Sequence, residues 1–138
     1  MYFDGSRMIE GAGAGIMLIS PTGERLKYVL QIYFPASNNA AEYEALLHGL
    51  RISISLSIRR LAVRGDSELV VNQVQKEYSC TSTKMLAYCQ EVRKLEGNFG
   101  GLKLTHVLRN DNNEVDELAK MGSRWTQVPT GIFVQQLH

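Results

Sequence analysis

The chain has 138 residues, of which 44% are hydrophobic and 21% are charged, and its formal net charge is +1. This length predicts one domain with a single core, and the near-neutral charge still allows a local basic face for nucleic acid. No apolar run approaches the roughly 20 residues of a membrane-spanning helix, and the two cysteines match no zinc-ligand spacing. We therefore expect an intracellular protein with reduced thiols and no membrane segment.

The N-terminal quarter of the chain predicts three strands joined by short turns. The first strand begins at once and ends at Asp4, and the glycines within 11–15 predict a turn before a second strand over 16–19. After a turn that starts at Pro21, apolar side chains alternate over 25–34, which is the period of a half-buried strand. Three strands with short connections predict an antiparallel meander.

The rest of the chain alternates between helices and short strands. Strands are predicted over 61–64 and 103–108, and the helices between them favour parallel pairing with the first strand. Apolar spacing and capping residues predict four helices, over 40–57, 67–75, 83–95 and from Asp111 or Asn112 onward.

These elements predict a mixed α/β domain over residues 1–125, with five strands and about four helices. Strands 1 to 3 are expected to pair antiparallel, and strands 1, 4 and 5 parallel. The pattern becomes irregular from Gln127 onward, where Pro129 and Gly131 stand close together. Residues 126–138 are therefore predicted to be a C-terminal tail or linker.

Four acidic residues stand where this architecture brings distant positions together. Asp4 ends the first strand and Asp66 ends the fourth, and the carboxyl ends of parallel strands meet at one edge of a sheet. Glu42 and Asp116 lie in the first turns of two helices whose N-termini can face that edge. Converging carboxylates repel one another unless cations neutralise them. The sequence therefore predicts a site for divalent ions such as Mg²⁺, which prefer oxygen ligands.

The local sequences around these acids resemble the four motifs of the type 1 ribonuclease H family, in the same order. The resemblance covers residues 1–123, and the short segment 76–82 leaves no room for the basic protrusion of some bacterial members. The chain therefore looks closer to the archaeal-type and plant branch. Its tail over 128–137 is similar to the linker after this domain in plant gypsy-type LTR retrotransposon polyproteins. The four motifs are Phe3-Asp4-Gly5-Ser6, Asn38 to Leu46, Gly65 to Val70 and Asn112 to Ala119.

The resemblance implies an endonuclease that hydrolyses the RNA strand of RNA–DNA hybrids and leaves 5′-phosphate and 3′-hydroxyl ends. It implies two Mg²⁺ ions, which Mn²⁺ can replace, with Asp4 bridging both of them. Asp116 would complete the site that activates the attacking water. Glu42 and Asp66 would hold the ion at the leaving oxygen.

The resemblance also implies one basic residue that assists the reaction. His106, ten residues before Asp116, matches in position the family's mobile histidine, which assists proton transfer or product release. Arg109 is a rival for the same role, because some archaeal-type members use a basic residue near this loop. The sequence leaves the choice between His106 and Arg109 open.

Eight residues are expected to contact the hybrid, which the family recognises by its shape and 2′-hydroxyl groups. The two asparagines among them also have helix-capping chemistry, and both roles can coexist. The lysine is a candidate for phosphates of the DNA strand. The eight residues are Gly5, Ser6, Ser37, Asn38, Asn39, Ser67, Lys84 and Arg109.

Three functions remain open at this point. The first is the hybrid-cutting enzyme, and the second is a non-catalytic module of the same fold that binds nucleic acid or bridges polyprotein domains. Such modules normally lose acidic residues, whereas this chain keeps all four. The third is a nuclease for double-stranded RNA or DNA, against which the Asn38-Asn39 pair and the Asp66-Ser67 motif argue.

The resemblance further implies partners and a location. An RNA–DNA hybrid is the expected partner, together with a reverse transcriptase in the same polyprotein. The isolated domain is expected to be a monomer. Its expected location is the cytoplasm, within a virus-like particle, or the nucleus.

Overall fold

The sheet carries helices on both of its faces. A computed structural model describes residues 1–9, 11–75, 82–124 and 127–138. The six strands are β1 (Tyr2–Arg7), β2 (Ala12–Ile19), β3 (Arg25–Ile32), β4 (Arg60–Gly65), β5 (Gly101–His106) and β6 (Phe133–Leu137). The four α-helices are α1 (Asn38–Ser55), α2 (Glu68–Val74), α3 (Thr83–Glu96) and α4 (Asn113–Arg124), the last entered through a 3₁₀ helix over Arg109–Asn112. The loop predicted over 76–82 lies, up to residue 81, outside the described residues.

The strand order is β5-β4-β1-β2-β3-β6. Strands β1, β2 and β3 form the predicted antiparallel meander, and β4 pairs parallel with both β1 and β5, also as predicted. The mixed α/β fold is therefore confirmed. A parallel β1–β4–β5 group places the carboxyl ends of three strands at one edge, which is where the acidic residues lie.

The predicted number of strands was one too low. Residues 133–137, in the segment predicted to be irregular, form β6 and pair parallel with β3. Phe133 stacks on Tyr28 with ring centroids 5.0 Å apart, and Leu137 is buried in the core. A five-residue edge strand is too short to show a clear alternation of apolar and polar residues. Its strand conformation depends on pairing with β3, which the local sequence does not reveal.

The glycines of β2 lie inside the strand and not in the predicted turn. Gly15 pairs with Asp4 on one side and with Val29 on the other. A Cβ atom at Gly15 would lie 2.6 Å from the carbonyl oxygen of Val115 and 2.7 Å from the Cβ of Leu118. The glycine therefore lets the backbone of α4 lie directly on the sheet.

The helix caps differ partly from the prediction. Ser37, and not the asparagines that follow it, caps α1, with its Oγ accepting a hydrogen bond from the Ala40 N–H at 3.1 Å. Asn38 and Asn39 are the first residues of the helix, so their side chains are not used as the cap. Ser67, predicted to be the first residue of the second helix, is the N-cap of α2, and its side chain accepts a hydrogen bond from the Val70 N–H.

Helix α1 is anchored by a buried stripe on the face of the sheet opposite α4. Tyr43, Leu46 and Leu50 are almost fully buried there against Phe3 and Ile16. This packing fixes the N-terminal part of α1, which carries Glu42, over β1 at Gly5. Glu42 lies beyond the first turn of the helix, so its predicted place in that turn was wrong. Among the described residues, no helix combines the length and apolarity that crossing a bilayer requires.

Candidate active site

The register of the parallel strands brings two carboxylates to one edge of the sheet. Phe3 is paired with Gly65, the last residue of β4, so the next residues, Asp4 and Asp66, lie side by side. Strand β1 itself continues past Asp4, so the prediction that the first strand ends there was wrong. Gly65 is also paired with His106 at the end of β5. The predicted convergence of Asp4 and Asp66 is therefore present, and His106 ends the neighbouring strand.

Three carboxylates form a compact group at this edge. Each of Asp4, Glu42 and Asp66 offers an oxygen, and these oxygens lie within 4.8 Å of one another. Asp4 is only 4% exposed and Glu42 only 7%. Gly5 makes this approach possible, because a Cβ there would lie 2.9 Å from the Cβ of Ala41.

The fourth predicted carboxylate, Asp116, touches the group without belonging to it. Its side chain is hydrogen-bonded to Asp4. Its Oδ2 lies 3.0 Å from the Nζ of Lys120, one helical turn further along α4. The hydrogen bond with Asp116 raises the pKa of Lys120, so the ammonium group stays charged. Asp4 therefore has Glu42 and Asp66 as one set of neighbours and Asp116 as another.

Burial dominates the electrostatics of the group. Burial raises the pKa of Asp4 well above its usual range, and the hydrogen bond and negative charge of Glu42 raise it further. Burial also raises the pKa of Glu42, although hydrogen bonds from Asp4 and from the Gly5 N–H, and the charge of Arg109, oppose this. Without a cation, Asp4 and Glu42 therefore share a proton.

The oxygen donors of the site, one of which has no hydrogen-bond partner, fit a cation site. Oε2 of Glu42 is buried and has no hydrogen-bond partner among the described residues. A buried carboxylate oxygen without a donor is costly, and a divalent cation would satisfy it. Because all the donors are carboxylate oxygens, the residues fit a hard ion such as Mg²⁺ or Mn²⁺.

These raised pKa values predict that the metal-free protein loses stability as the pH rises. The folded state keeps protons on Asp4 and Glu42 that the unfolded state releases near pH 4, so the contribution is complete below pH 4 and is lost as the pH rises through the folded pKa values. We expect Asp4→Asn to remove about 1–3 kcal/mol of this pH dependence. Urea unfolding in EDTA at pH 5.5 and 8.5 measures it. If the free energy of unfolding changes by the same amount between the two pH values in wild type and variant, the shared proton is contradicted.

The two rivals for the assisting basic role differ in their surroundings. Arg109 Nε lies 3.8 Å from Asp66 Oδ2, although its side chain is 85% exposed. His106 is exposed, and within the described residues no hydrogen bond or ion pair joins its side chain to a carboxylate. His106 ends β5 and Arg109 begins the 3₁₀ helix that follows, so both lie at the edge of the sheet that carries the carboxylates.

The residues predicted to contact nucleic acid fall into two groups. Ser37 and Lys84 line one cavity of about 510 Å³ together with Arg7, which the sequence analysis did not single out. Asn38 is exposed directly after Ser37, and Asn39 is half-buried. This first group thus places two basic side chains at a cavity near the N-terminus of α1 whose other lining is mostly apolar.

The second group lies around the carboxylates themselves. Ser6 is half-buried in β1, and Ser67 caps α2 directly after Asp66. Gly5 and Arg109 belong here as well, through their effects on Glu42. This second group has closer contacts with the acidic site than the first.

Two further residues of the site were missed from the sequence. Lys120 follows Asp116 by four positions, and this helical spacing is a signal that was available. Asn112 was interpreted as a helix cap, but it is buried and its Nδ2 donates to the carbonyl of Phe3 at 3.2 Å. That hydrogen bond ties the start of α4 to the residue before Asp4, and no local pattern predicts it.

Residues 2–122 match the model of the family described as Reverse transcriptase-like. The chain is 32% identical over 120 residues to ribonuclease HI of Halobacterium salinarum, an alignment that covers 86% of this chain and 60% of the relative. The crystal structure of RNase H1 from that organism is 28% identical, with a TM-score of 0.81 and coverage of 91% of this chain and 96% of that chain. The chain thus spans about 60% of the length of this curated relative.

Two other solved structures share the architecture. The N-terminal RNase H domain of a Mycobacterium tuberculosis protein is 26% identical with a TM-score of 0.78, covering 89% of this chain and 91% of that chain. LC11-RNase H1, crystallised with an RNA/DNA hybrid, is 24% identical with a TM-score of 0.76, covering 90% and 95%, and this likeness concerns the fold alone. The chain therefore belongs to the Reverse transcriptase-like family and has the fold of ribonuclease H1.

Proposed function

We propose that this protein is a ribonuclease H that hydrolyses the RNA strand of RNA–DNA hybrids and leaves 5′-phosphate and 3′-hydroxyl ends. The observation that carries the proposal is the buried group of Asp4, Glu42 and Asp66, with Asp116 in contact with Asp4. Similarity to ribonuclease HI and to the RNase H1 structure supports it. A non-catalytic module would have no need to maintain such a costly cluster of buried acids.

The arrangement of the carboxylates suggests a separate role in metal binding for each of them. Asp4 lies between two sets of neighbours, which supports the proposal that it would bridge two ions. Glu42 and Asp66 would hold one ion, and Asp116 would complete the site of the other. When bound, two Mg²⁺ or Mn²⁺ ions lower the pKa of an attacking water and stabilise charge on the leaving oxygen.

The protein's own basic residues supply the remaining chemistry. Arg109, close to Asp66, is placed to interact with phosphate oxygens at the site. His106 is exposed at the same edge, and histidine is the side chain that most often serves as a general acid or base. We propose that one of them assists proton transfer or product release after the bond breaks.

Hybrid binding would rest on the two polar groups around α1 and the carboxylates. Lys84 and Ser37 line a cavity with Arg7 that suits phosphates of the DNA strand. Because Ser37 caps α1, the side chains of Asn38 and Asn39 can form hydrogen bonds with 2′-hydroxyl groups. Such contacts read shape and sugar chemistry, so cleavage is expected to show little base preference.

A cleavage assay with matched duplexes tests the proposal. With Mg²⁺, we expect the protein to cut RNA in an RNA–DNA hybrid at least about 100-fold faster than the same sequence as RNA–RNA or DNA–DNA, because the latter two lack the mixed groove that the site recognises. End labelling should show 5′-phosphate and 3′-hydroxyl products. Equal cutting of all three duplexes would refute hybrid specificity, and binding without cutting would favour the non-catalytic module.

We also propose that the chain acts in reverse transcription beside a reverse transcriptase, as part of a plant gypsy-type retroelement polyprotein. The support is the description of its family as Reverse transcriptase-like, together with the sequence of its tail. The isolated domain would be monomeric, and the polyprotein product would work in the cytoplasm, within a virus-like particle, or in the nucleus. Light scattering of the purified chain tests the monomer, since a dimer mass would contradict it.

A further inference from the structure

One cation lies against the metal-site carboxylates at hydrogen-bonding distance. The Nζ of Lys120 is 3.0 Å from Oδ2 of Asp116 and 3.8 Å from Oε1 of Glu117. A second cation near the cluster is Arg109, whose Nε is 3.8 Å from Asp66 on a largely exposed side chain. Lys120 therefore makes the closer contact, and it does so with the carboxylate that is outside the three-residue group.

The geometry of α4 favours this contact. Asp116 and Lys120 are one helical turn apart on the same face, in the order that favours an acid–base pair. Both residues belong to a helix whose backbone lies directly on β2 at Gly15. The carboxylate of Asp116 is thus held by Lys120 while its neighbour Asp4 is held by Glu42.

We propose that Lys120 is a positioning residue that holds Asp116 and weakens divalent-ion binding at the side of Asp4 that Asp116 completes. This inference rests on the proposed function, because it assumes that the four carboxylates bind metal. An ammonium group in contact with a ligand oxygen competes with the ion for that oxygen and repels it. The two ions then bind with unequal affinity, and the negative charge of a substrate phosphate would strengthen the weaker one.

Calorimetric titration of the protein with Mn²⁺ tests this without relying on cleavage. In Lys120→Met we expect the dissociation constant of the more weakly bound Mn²⁺ ion to fall by about 3- to 10-fold, because a unit positive charge beside Asp116 is removed. Lys120→Arg keeps the charge and should bind Mn²⁺ like wild type. Lys27→Met is the matched control, since Lys27 Nζ lies 3.7 Å from Glu114 at the start of the same helix but away from the cluster.

Cleavage provides a second readout. The Mg²⁺ concentration for half-maximal cleavage should fall by a similar factor in Lys120→Met and not in Lys27→Met. If Lys120→Met binds Mn²⁺ no more tightly than Lys27→Met, the Lys120 inference is wrong while the metal site stands. If wild type and Asp4→Asn bind Mn²⁺ alike, the proposed metal site itself is wrong, so the two failures are distinct.

Discussion

Asp4→Asn is expected to reduce the rate of RNA cleavage in a hybrid by about 1,000-fold or more, with the fold intact. Asp4 is the carboxylate that contacts Glu42 and Asp116 and lies in one group with Asp66. Asparagine keeps the shape and a hydrogen-bond donor but removes the charge that would bridge two cations. Single-turnover cleavage with Mg²⁺ measures the rate, and circular dichroism measures the fold.

Two comparisons make this expectation specific. Asp111→Asn is the matched control, because Asp111 is exposed in the 3₁₀ helix and outside the acidic group, so its cleavage rate should stay within about twofold of wild type. His106→Ala should slow turnover by about 10- to 100-fold, which is the scale of general acid–base assistance. Residual activity of Asp4→Asn near the wild-type rate would rule out metal catalysis through this cluster.

The acidic site could be predicted because its information is local and strand-like. Asp66 directly follows an apolar strand, and the parallel pairing of that strand with β1 places Asp66 beside Asp4. Glu42 lies near the start of a helix whose apolar stripe was readable over four turns. Local pattern and topology agreed for these residues, and the structure places three of them in one group.

The features that were missed depend on contacts between distant segments. Ser37 and Asn38 are both good capping residues, and only the real start of the helix decides between them. The hydrogen bond of Asn112 to the carbonyl of Phe3 spans 109 residues, and β6 is defined by β3. In the sequence alone, the glycines of β2 predict a turn. In the structure they are required because α4, about 100 residues later in the chain, packs directly on β2.

Gly15→Ala is expected to destabilise the protein by about 2–4 kcal/mol, although alanine is normally the better residue in a strand. The added Cβ would lie 2.6 Å from the Val115 carbonyl oxygen and 2.7 Å from the Leu118 Cβ, so α4 has to move off the sheet. Neither the helix backbone nor a Cβ can rotate away. Thermal unfolding should show a midpoint lower by roughly 10 °C.

Gly101→Ala is the matched control for this substitution. Gly101 is also a strand glycine, in β5, but a Cβ there would meet only the Arg60 Cγ at 3.7 Å, an ordinary contact. Its unfolding midpoint should change by less than about 3 °C. Because α4 carries Asp116, Gly15→Ala should also weaken Mn²⁺ binding, whereas Gly101→Ala should not. Equal midpoints for the two variants would mean that α4 does not rest on β2 as closely as the structure places it, and the contact of Asp116 with Asp4 would lose its support.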